Sequence, residues 1–463
     1  MSKKEDNEQL RNILSESPKG IAELLKAASH PIRIKVLALL LQGVHDFSKL
    51  MQHTKLSKTA LANHMSQLIK KGLVQRVAKG EYNLTVDGKE LLSAAATTYK
   101  NSAWRKEERR CALRRRYTKG LIGGKPLSRK VINKKVEYLP CWLSYTGAIA
   151  GSLRAMGVDC DTIDVGGYSG YAFIINVAKD VTCPSGPTAL PLETWKQIHK
   201  GTESLGWTME HYEYPHDFPA EEGNPTLQEV EIAKELFEKI KQEIDERDRP
   251  VVLWGLAVPE YGIVKGYEGN SYVTSTFRSL NNQPEDPILF YDLKAPGCID
   301  AFFFRDKTKQ NATVADREAL ERAIRFAAAN VPIQEKYIGG GPVALDEWAN
   351  VLENLPEEKQ NYMGNSYVGF CVWEGRALSK EFLMRLSKKH SGKQVKHLQE
   401  AARCYEKGAE LMNEFTRIFP FKFQGEMKLE DRRKGADMLR KVKPLEKKAL
   451  MHMKRALEEW ETP

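Results

Sequence analysis

The sequence predicts a multidomain α+β chain: a small helical module bearing a β-hairpin, a mixed α/β region, and a long helical region. Three observations predict it. Apolar residues between Leu25 and Leu92 recur first at helical spacing and then at strand spacing. Beyond Gly120–Pro126, a glycine-rich break, short β-rich runs alternate with helical stretches. From Val314 to Trp460, Leu, Met and aromatic residues recur every three or four positions. At 463 residues the chain is too long for one ordinary core. The expected divisions are 1–96, a basic helix and linker over 97–135, an α/β domain over 136–312, and a helical cap or dimerisation region over 313–463.

Within the first division, Pro31 can open a helix because its missing N–H is unpaired at that position anyway. Ile34, Leu37, Ala38 and Leu41 then supply a buried stripe, and Gly43 the stop. A second short helix surrounds Phe47, Leu50 and Met51. Leu56 and Ser57 make a turn, with Ser57 placed to cap a third helix. That helix carries Lys58, Thr59, Asn63, His64 and Gln67 outward and Leu61, Met65 and Leu68 inward. Leu73–Arg76 and Tyr82–Thr85 alternate as two strands around Lys79-Gly80, a hairpin tip bearing a cation. Helix, turn, helix and hairpin in this order describe a winged helix-turn-helix. Ser57, Lys58, Thr59, Asn63, His64 and Gln67 suit the base edges of a major groove, while Arg76 and Lys79 suit the neighbouring phosphates. The expected partner is double-stranded DNA.

The segment resembles the ArsR-type winged-helix regulators, through ASHPIRIKVLALLL, LSKTALANHMSQLIKKGLV and YNLTVDGKELL. That resemblance implies operator binding as a homodimer, with the helix after the wing helping to pair subunits. Metal-sensing members carry paired cysteines on the helix before the recognition helix. Here that helix reads HDFSKLMQ, so no metal and no cofactor are expected.

Charge is concentrated rather than spread. The net charge is +10, and Lys100–Lys135 alone holds fourteen Lys or Arg against two Glu. Arg114, Arg115 and Arg116 form its densest run and would add phosphate contacts beside a DNA reader. The seven cysteines are scattered and include no C-x-x-C pair, as expected of reduced thiols in a cytoplasmic protein. No secretory leader and no membrane span is expected.

In the remainder, Cys141–Met156 reads as a helix started by Pro140, Trp195–Leu205 as a helix and Leu227–Glu246 as a charged amphipathic helix. Tyr171–Val177, Met209–Tyr214, Val251–Leu256, Tyr261–Tyr267, Tyr272–Ser275 and Ile288–Asp292 read as strands. Cys141 stands out, because a thiol at the first turn of a helix meets the positive end of the dipole, which favours the thiolate. Cys183, in CPSGP, reads as a turn residue.

Residues 136 to about 304 resemble the N-terminal domain of the butirosin-biosynthesis acyltransferase family. The matching stretches are YLPCWLSYTGAIAGSLRAMG, GYSGYAFIINVAKDVTCPSGPTAL, PVVLWGLAVPEYGIVKGYEG and ILFYDL. The following helical region is similar through YIGGGPVALDEWANVLE and GNSYVGFCVWEGRALSKEFL. The resemblance implies a papain-like fold with Cys141 as nucleophile and Asp292 as orienting acid. Where the related peptidases place a histidine base, this chain has Glu260, flanked by Pro259 and Tyr261. A carboxylate is a weak base at neutral pH unless burial raises its pKa. A cleft without its base suits holding a small-molecule effector better than transforming one. Its expected walls are Cys141, Trp142, Tyr168, Tyr171, Phe173, Trp254, Glu260 and Tyr261. The alternative is an acyltransferase or amide hydrolase using Cys141, Glu260 and Asp292.

Overall fold

A computed structural model describes residues 11–102, 128–219, 225–281, 283–309, 311–329, 334–339 and 341–460. The chain divides into two compact units, Met1–Leu113 and Arg114–Pro463. Cys111, Arg114–Arg116 and the break at Gly120–Pro126 lie outside the described residues.

The first unit contains α1 (Pro18–Ala28), α2 (Pro31–Leu40), β1 (His45–Asp46), α3 (Phe47–Thr54), α4 (Lys58–Lys70), β2 (Val74–Ala78), β3 (Glu81–Leu84) and α5 (Val86–Asn101). Its strands form an antiparallel sheet in the order β1-β3-β2. Local chemistry sets the helix starts. Asp46 Oδ1 accepts from Lys49 N at 2.8 Å and opens α3, and Ser57 Oγ accepts from Ala60 N at 3.3 Å and opens α4. Lys55 in the left-handed region ends α3 between them. Leu61, Met65 and Leu68 of α4 are buried against Leu50 of α3 and Leu37 of α2. The wing turns at Gly80, with φ 86°. Gly88 is required at the exit of the wing, because a Cβ there would lie 2.1 Å from Leu73 O.

One expectation for this unit fails. Ile34 and Leu41 are 48% and 50% exposed, Ala38 is also exposed, and the buried face of α2 is Val36, Leu37 and Leu40. In PIRIKVLALL the two cations, Arg33 and Lys35, lie about 200° apart, so no single polar face is marked and packing chooses the buried side.

The second unit opens with β4 (Arg129–Val131), α6 (Ser144–Ala155), α7 (Thr162–Ser169), β5 (Asn176–Ala178), α8 (Leu192–Glu203), β6 (Trp207–Tyr214) and α9 (Leu227–Arg247). Strands β7 (Val251–Trp254), β8 (Tyr261–Glu268), β9 (Ser271–Ser275), β10 (Ile288–Leu289) and β11 (Ile299–Lys307) follow. The rest is α10 (Ala312–Ala327), β12 (Tyr337–Gly339), α11 (Gly341–Asn354), α12 (Tyr362–Lys389), α13 (Gln394–Ile418) and α14 (Leu429–Glu458). The main sheet runs β10-β9-β8-β7-β11-β6, antiparallel throughout, with β4 added against β8. Strands β5 and β12 form a separate pair.

Helix α6 is buried from Ser144 to Leu153 and packs against β7, β8 and α7. Gly147 and Gly151 let residues 137–139 cross it closely. A Cβ on Gly147 would lie 2.4 Å from Leu139 O, and one on Gly151 2.1 Å from Glu137 O. The helix begins at Ser144 and not at Cys141 as expected. The stretch expected as a strand from Tyr171 is a 3-10 turn over Tyr171–Phe173 followed by β5. Strand β11 was not anticipated. The expected boundary after residue 312 falls at the first residue of α10, and one core joins Tyr145 and Phe302 to Phe382 and Ala449.

Helix α12 is fixed by a buried ion pair. Arg376 is 0% exposed, and its Nε and Nη2 donate to Glu446 of α14 at 2.8 and 3.1 Å. Its remaining N–H groups reach Ala172 O, Ile174 O and Phe173 O at 3.3, 3.3 and 3.4 Å. A guanidinium removed from water in this way is tolerated only while its partners stay in place. Glu446→Ala leaves it uncompensated and should lower stability by about 3–5 kcal/mol in urea titrations. A loss below about 1 kcal/mol would mean the charge reaches water in solution.

Candidate functional site

On α4, Lys58, Thr59, Asn63 and Gln67 are exposed, and Ser57 is exposed with its hydroxyl engaged as the cap. His64 departs from expectation. It is half-buried, its ring lies 4.6 Å from that of His30, and burial followed by the charges of His30 and Arg33 lowers its pKa. It lies partly covered, where α4 meets the start of α2. Lys79 is exposed at the wing tip, and Arg76 is exposed with Nε on Ala78 O at 3.2 Å. Lys58, Thr59, Asn63 and Gln67 thus present donors and acceptors along one exposed helix face, beside a cationic tip.

In the second unit the surroundings of Cys141 are built by α12. Tyr367, Cys371 and Glu374 recur on α12 at intervals of four and three, which places them on one face. Glu374 Oε2 accepts from Cys141 Sγ at 3.0 Å and from Leu143 N at 2.9 Å. The carboxylate therefore occupies the start of α6, which has no side-chain cap of its own. This explains why the helix begins at Ser144. It also reverses the expectation for the thiol, since burial, then the charge and hydrogen bond of Glu374, push the Cys141 pKa well above that of a free thiol. Cys371 is pushed up as well, by burial and then by the charge of Glu260, and its Sγ faces Trp142 O at 3.7 Å. Tyr138 OH donates to Cys141 O at 2.8 Å.

Glu260 ends the loop between β7 and β8, where Gly255 and Ala257 take positive φ. Its Oε1 accepts from Tyr367 OH, and its Oε2 is buried with no partner. Burial raises its pKa to about 7, with Ser144 and Tyr367 beside it pulling the other way. Asp292 follows β10 and pairs with Lys294 at 3.2 Å. Among the described residues, the side-chain partner of the Cys141 thiol is thus Glu374, and no imidazole bonds to it.

The expected cleft residues separate into two groups. Trp142 lies beside Cys141, with its ring 4.5 Å from that of Phe370 and 5.0 Å from that of Phe421. Tyr171 and Cys371 line a cavity of about 20 Å³ together with Leu143, Asn176 and Val368. The others are core residues. Tyr168 donates to Asp316, Phe173 packs on Tyr405, Trp254 Nε1 donates to Pro296 O at 3.3 Å, and Tyr261 donates to Asp300. Asp300 also pairs with His211, which lies edge-on to the buried His199. Sequence reasoning missed Glu374, Cys371, Tyr367 and Tyr138. The available signal was a glutamate three residues after a cysteine within an otherwise apolar helical face.

Among the described residues no group of His, Cys, Asp and Glu is placed to hold a metal ion, and no helix is long and apolar enough to cross a membrane.

The raised pKa of Glu260 makes stability depend on pH. Below about 4.5 the group is protonated whether the chain is folded or unfolded. Between 4.5 and about 7 the folded chain holds a proton that the unfolded chain has released, so stability falls as pH rises. Above 7 the full penalty, about 3 kcal/mol, is present. Glu260→Gln has no such proton and can still accept from Tyr367. It should gain on the parent by up to about 3 kcal/mol between pH 5 and 8 in denaturation midpoints. Parallel stability curves would show that Glu260 titrates normally.

No curated protein matches the chain. Residues 30–76 match the family profile described as bacterial regulatory protein, arsR family. That match runs from the cap of α2 through α4 into the wing, so the first unit carries an ArsR-type DNA-binding helix-turn-helix and the chain reads as a DNA-binding transcriptional regulator.

Proposed function

We propose that the protein is a homodimeric transcriptional regulator whose second unit is a papain-like, non-catalytic sensor of a small-molecule effector. The observation that carries the sensor reading is the carboxylate at Cys141. A papain-like nucleophile needs a base that takes its proton and a third group to orient that base. Here the thiol donates to Glu374, and burial followed by that carboxylate's charge pushes the thiol's own pKa well up, so little thiolate forms. The buried helix behind Cys141, lying on an antiparallel sheet whose β8 opens after Glu260, supports the papain-like reading. Exposed apolar residues on the first unit, Leu25, Ile34, Leu41 and Val86, support pairing of subunits. The Arg114–Arg116 run would add sequence-independent phosphate contacts. Effector binding would shift the population between two arrangements of the recognition helices.

The DNA assignment is tested on α4. Replacing Lys58, Asn63 and Gln67 together by Ala should weaken operator binding by roughly 1–3 kcal/mol per true base contact and relax sequence preference, measured by titration at fixed salt. Parental affinity in the triple variant would remove α4 from the groove.

The sensor assignment is tested on the thiol. Intact protein incubated with activated acyl thioesters should show no adduct at Cys141 by mass spectrometry, and Cys141→Ser should bind effector within a few-fold of the parent. Rapid stoichiometric acylation, abolished by Cys141→Ser, would establish a transferase or hydrolase in its place.

A further inference from the structure

Building on the sensor reading, we propose that the second unit takes a small organic cation, its quaternary ammonium head in a groove between α12 and α13 and its apolar body on the adjoining aromatic surface. The first ground is an aromatic strip in contact with water. Phe421 and Phe423, in the loop between α13 and α14, are 40% and 77% exposed. The Phe421 ring lies 5.0 Å from that of Trp142 and 6.0 Å from that of Phe423. Trp142 and Phe370 are half-buried, with their rings 4.5 Å apart, and the Phe370 ring lies 6.2 Å from that of Trp373. Tyr362 OH donates to Pro420 O at 2.9 Å, which ties the loop to the start of α12. Contiguous apolar surface left in water marks a place where something binds.

The second ground is the groove that this strip enters. Phe370, Trp373 and Ala377 recur along α12 at intervals of three and four, which puts them on one face. Trp373 and Ala377 line a groove of about 240 Å³, and Ala409 of α13 lines it as well. That volume falls short of enclosing a drug-sized molecule, so the head enters and the body stays on the strip. The third ground is charge. Glu381, Glu406 and Glu410 line the groove against a single cation, Lys380. Lys380 Nζ is already engaged by Glu381 at 2.7 Å and by Glu406 at 3.5 Å. Among the described residues Glu410 has no cationic partner. A surplus of carboxylates draws in a second cation and repels an anion. An indole face attracts a cation, and a quaternary head has no N–H for the alanine methyls to leave unpaired.

The test uses the full chain and four probes, benzyltrimethylammonium, tetramethylammonium, benzyl alcohol and phenylacetate, titrated calorimetrically at neutral pH and fixed salt. Benzyltrimethylammonium should bind about tenfold more tightly than benzyl alcohol, which lacks the charge, and than tetramethylammonium, which lacks the body. Phenylacetate should not bind. Glu410→Gln, at an exposed position and checked for a parental unfolding midpoint, should lower benzyltrimethylammonium affinity about threefold and leave benzyl alcohol unchanged. Trp373→Leu should lower it about tenfold, and Trp373→Phe should restore most of the loss. No binding of benzyltrimethylammonium, equal binding of benzyl alcohol or tetramethylammonium, or an unaffected Glu410→Gln or Trp373→Leu variant would each overturn the proposal and leave the sensor reading standing. Operator affinity should change on saturation with benzyltrimethylammonium. Binding with operator affinity unchanged would keep the site and remove the sensor.

Discussion

Arg376 determines where α12 lies, and the chemistry at Cys141 follows from that placement. Glu374 and Arg376 are two residues apart, about 200° around the helix, so one helix serves two opposite surroundings. On one side the guanidinium is enclosed by Glu446 and by the carbonyls of Ala172, Phe173 and Ile174. On the other, Glu374 reaches the start of α6. A buried guanidinium has a single arrangement that satisfies it, so the pair contributes position more than stability. A hydrophobic replacement would let α12 slide or rotate by fractions of a turn. A contact of 3.0 Å between Glu374 and Cys141 does not survive such motion.

That placement puts two acids in competition for one helix terminus. A helix start stabilises whichever anion lies against its free N–H groups. Burial already disfavours the Cys141 thiolate, and the helix start is the one place where the dipole could have offset that. Glu374 takes the Leu143 N–H in its place, and its negative charge then disfavours a second anion beside it. The same residue that completes the helix suppresses the nucleophile. Glu260 is a stronger base than an ordinary glutamate, with its pKa near 7, but its Oε1 is held by Tyr367. The carboxylate that touches the thiol is Glu374, and the thiol's own pKa is raised beside it.

What could be read from the sequence followed the range of the interactions involved. The recognition helix was legible because cap, inward face and outward face all sit within fourteen consecutive residues, Ser57–Lys70. The phase of α2 was not, since its cations, Arg33 and Lys35, fall on opposite sides and mark no single polar face. Strand β11 was overlooked for a related reason: IDAFFF is central in its sheet and buried on both faces, which erases the alternation that marks a half-buried strand. Cys141 was singled out correctly as a residue of interest, but its character depended on Glu374, 233 residues away. The start of α6 depended on the same contact. His64 shows the converse. Its spacing on α4 matched an outward position, and the ring of His30, the cap of α2, partly covers it.

On the sensor reading, what the second unit can transmit is bounded by the difference a ligand makes there. A tenfold change in operator occupancy requires about 1.4 kcal/mol of differential binding between two arrangements. An unsatisfied buried acceptor such as Asn176 Oδ1 costs about 1–3 kcal/mol, and ionising a carboxyl with the pKa of Glu260 costs a further amount of similar size. Relief of either is therefore large enough to act as a signal. It acts only through an element whose position the site helps to set. Tyr367, Cys371 and Glu374 all lie on α12, a helix of 28 residues whose Arg376 is tied to Glu446. On the sensor reading, a ligand at the site transmits a signal only by favouring one of two arrangements of α12 over the other.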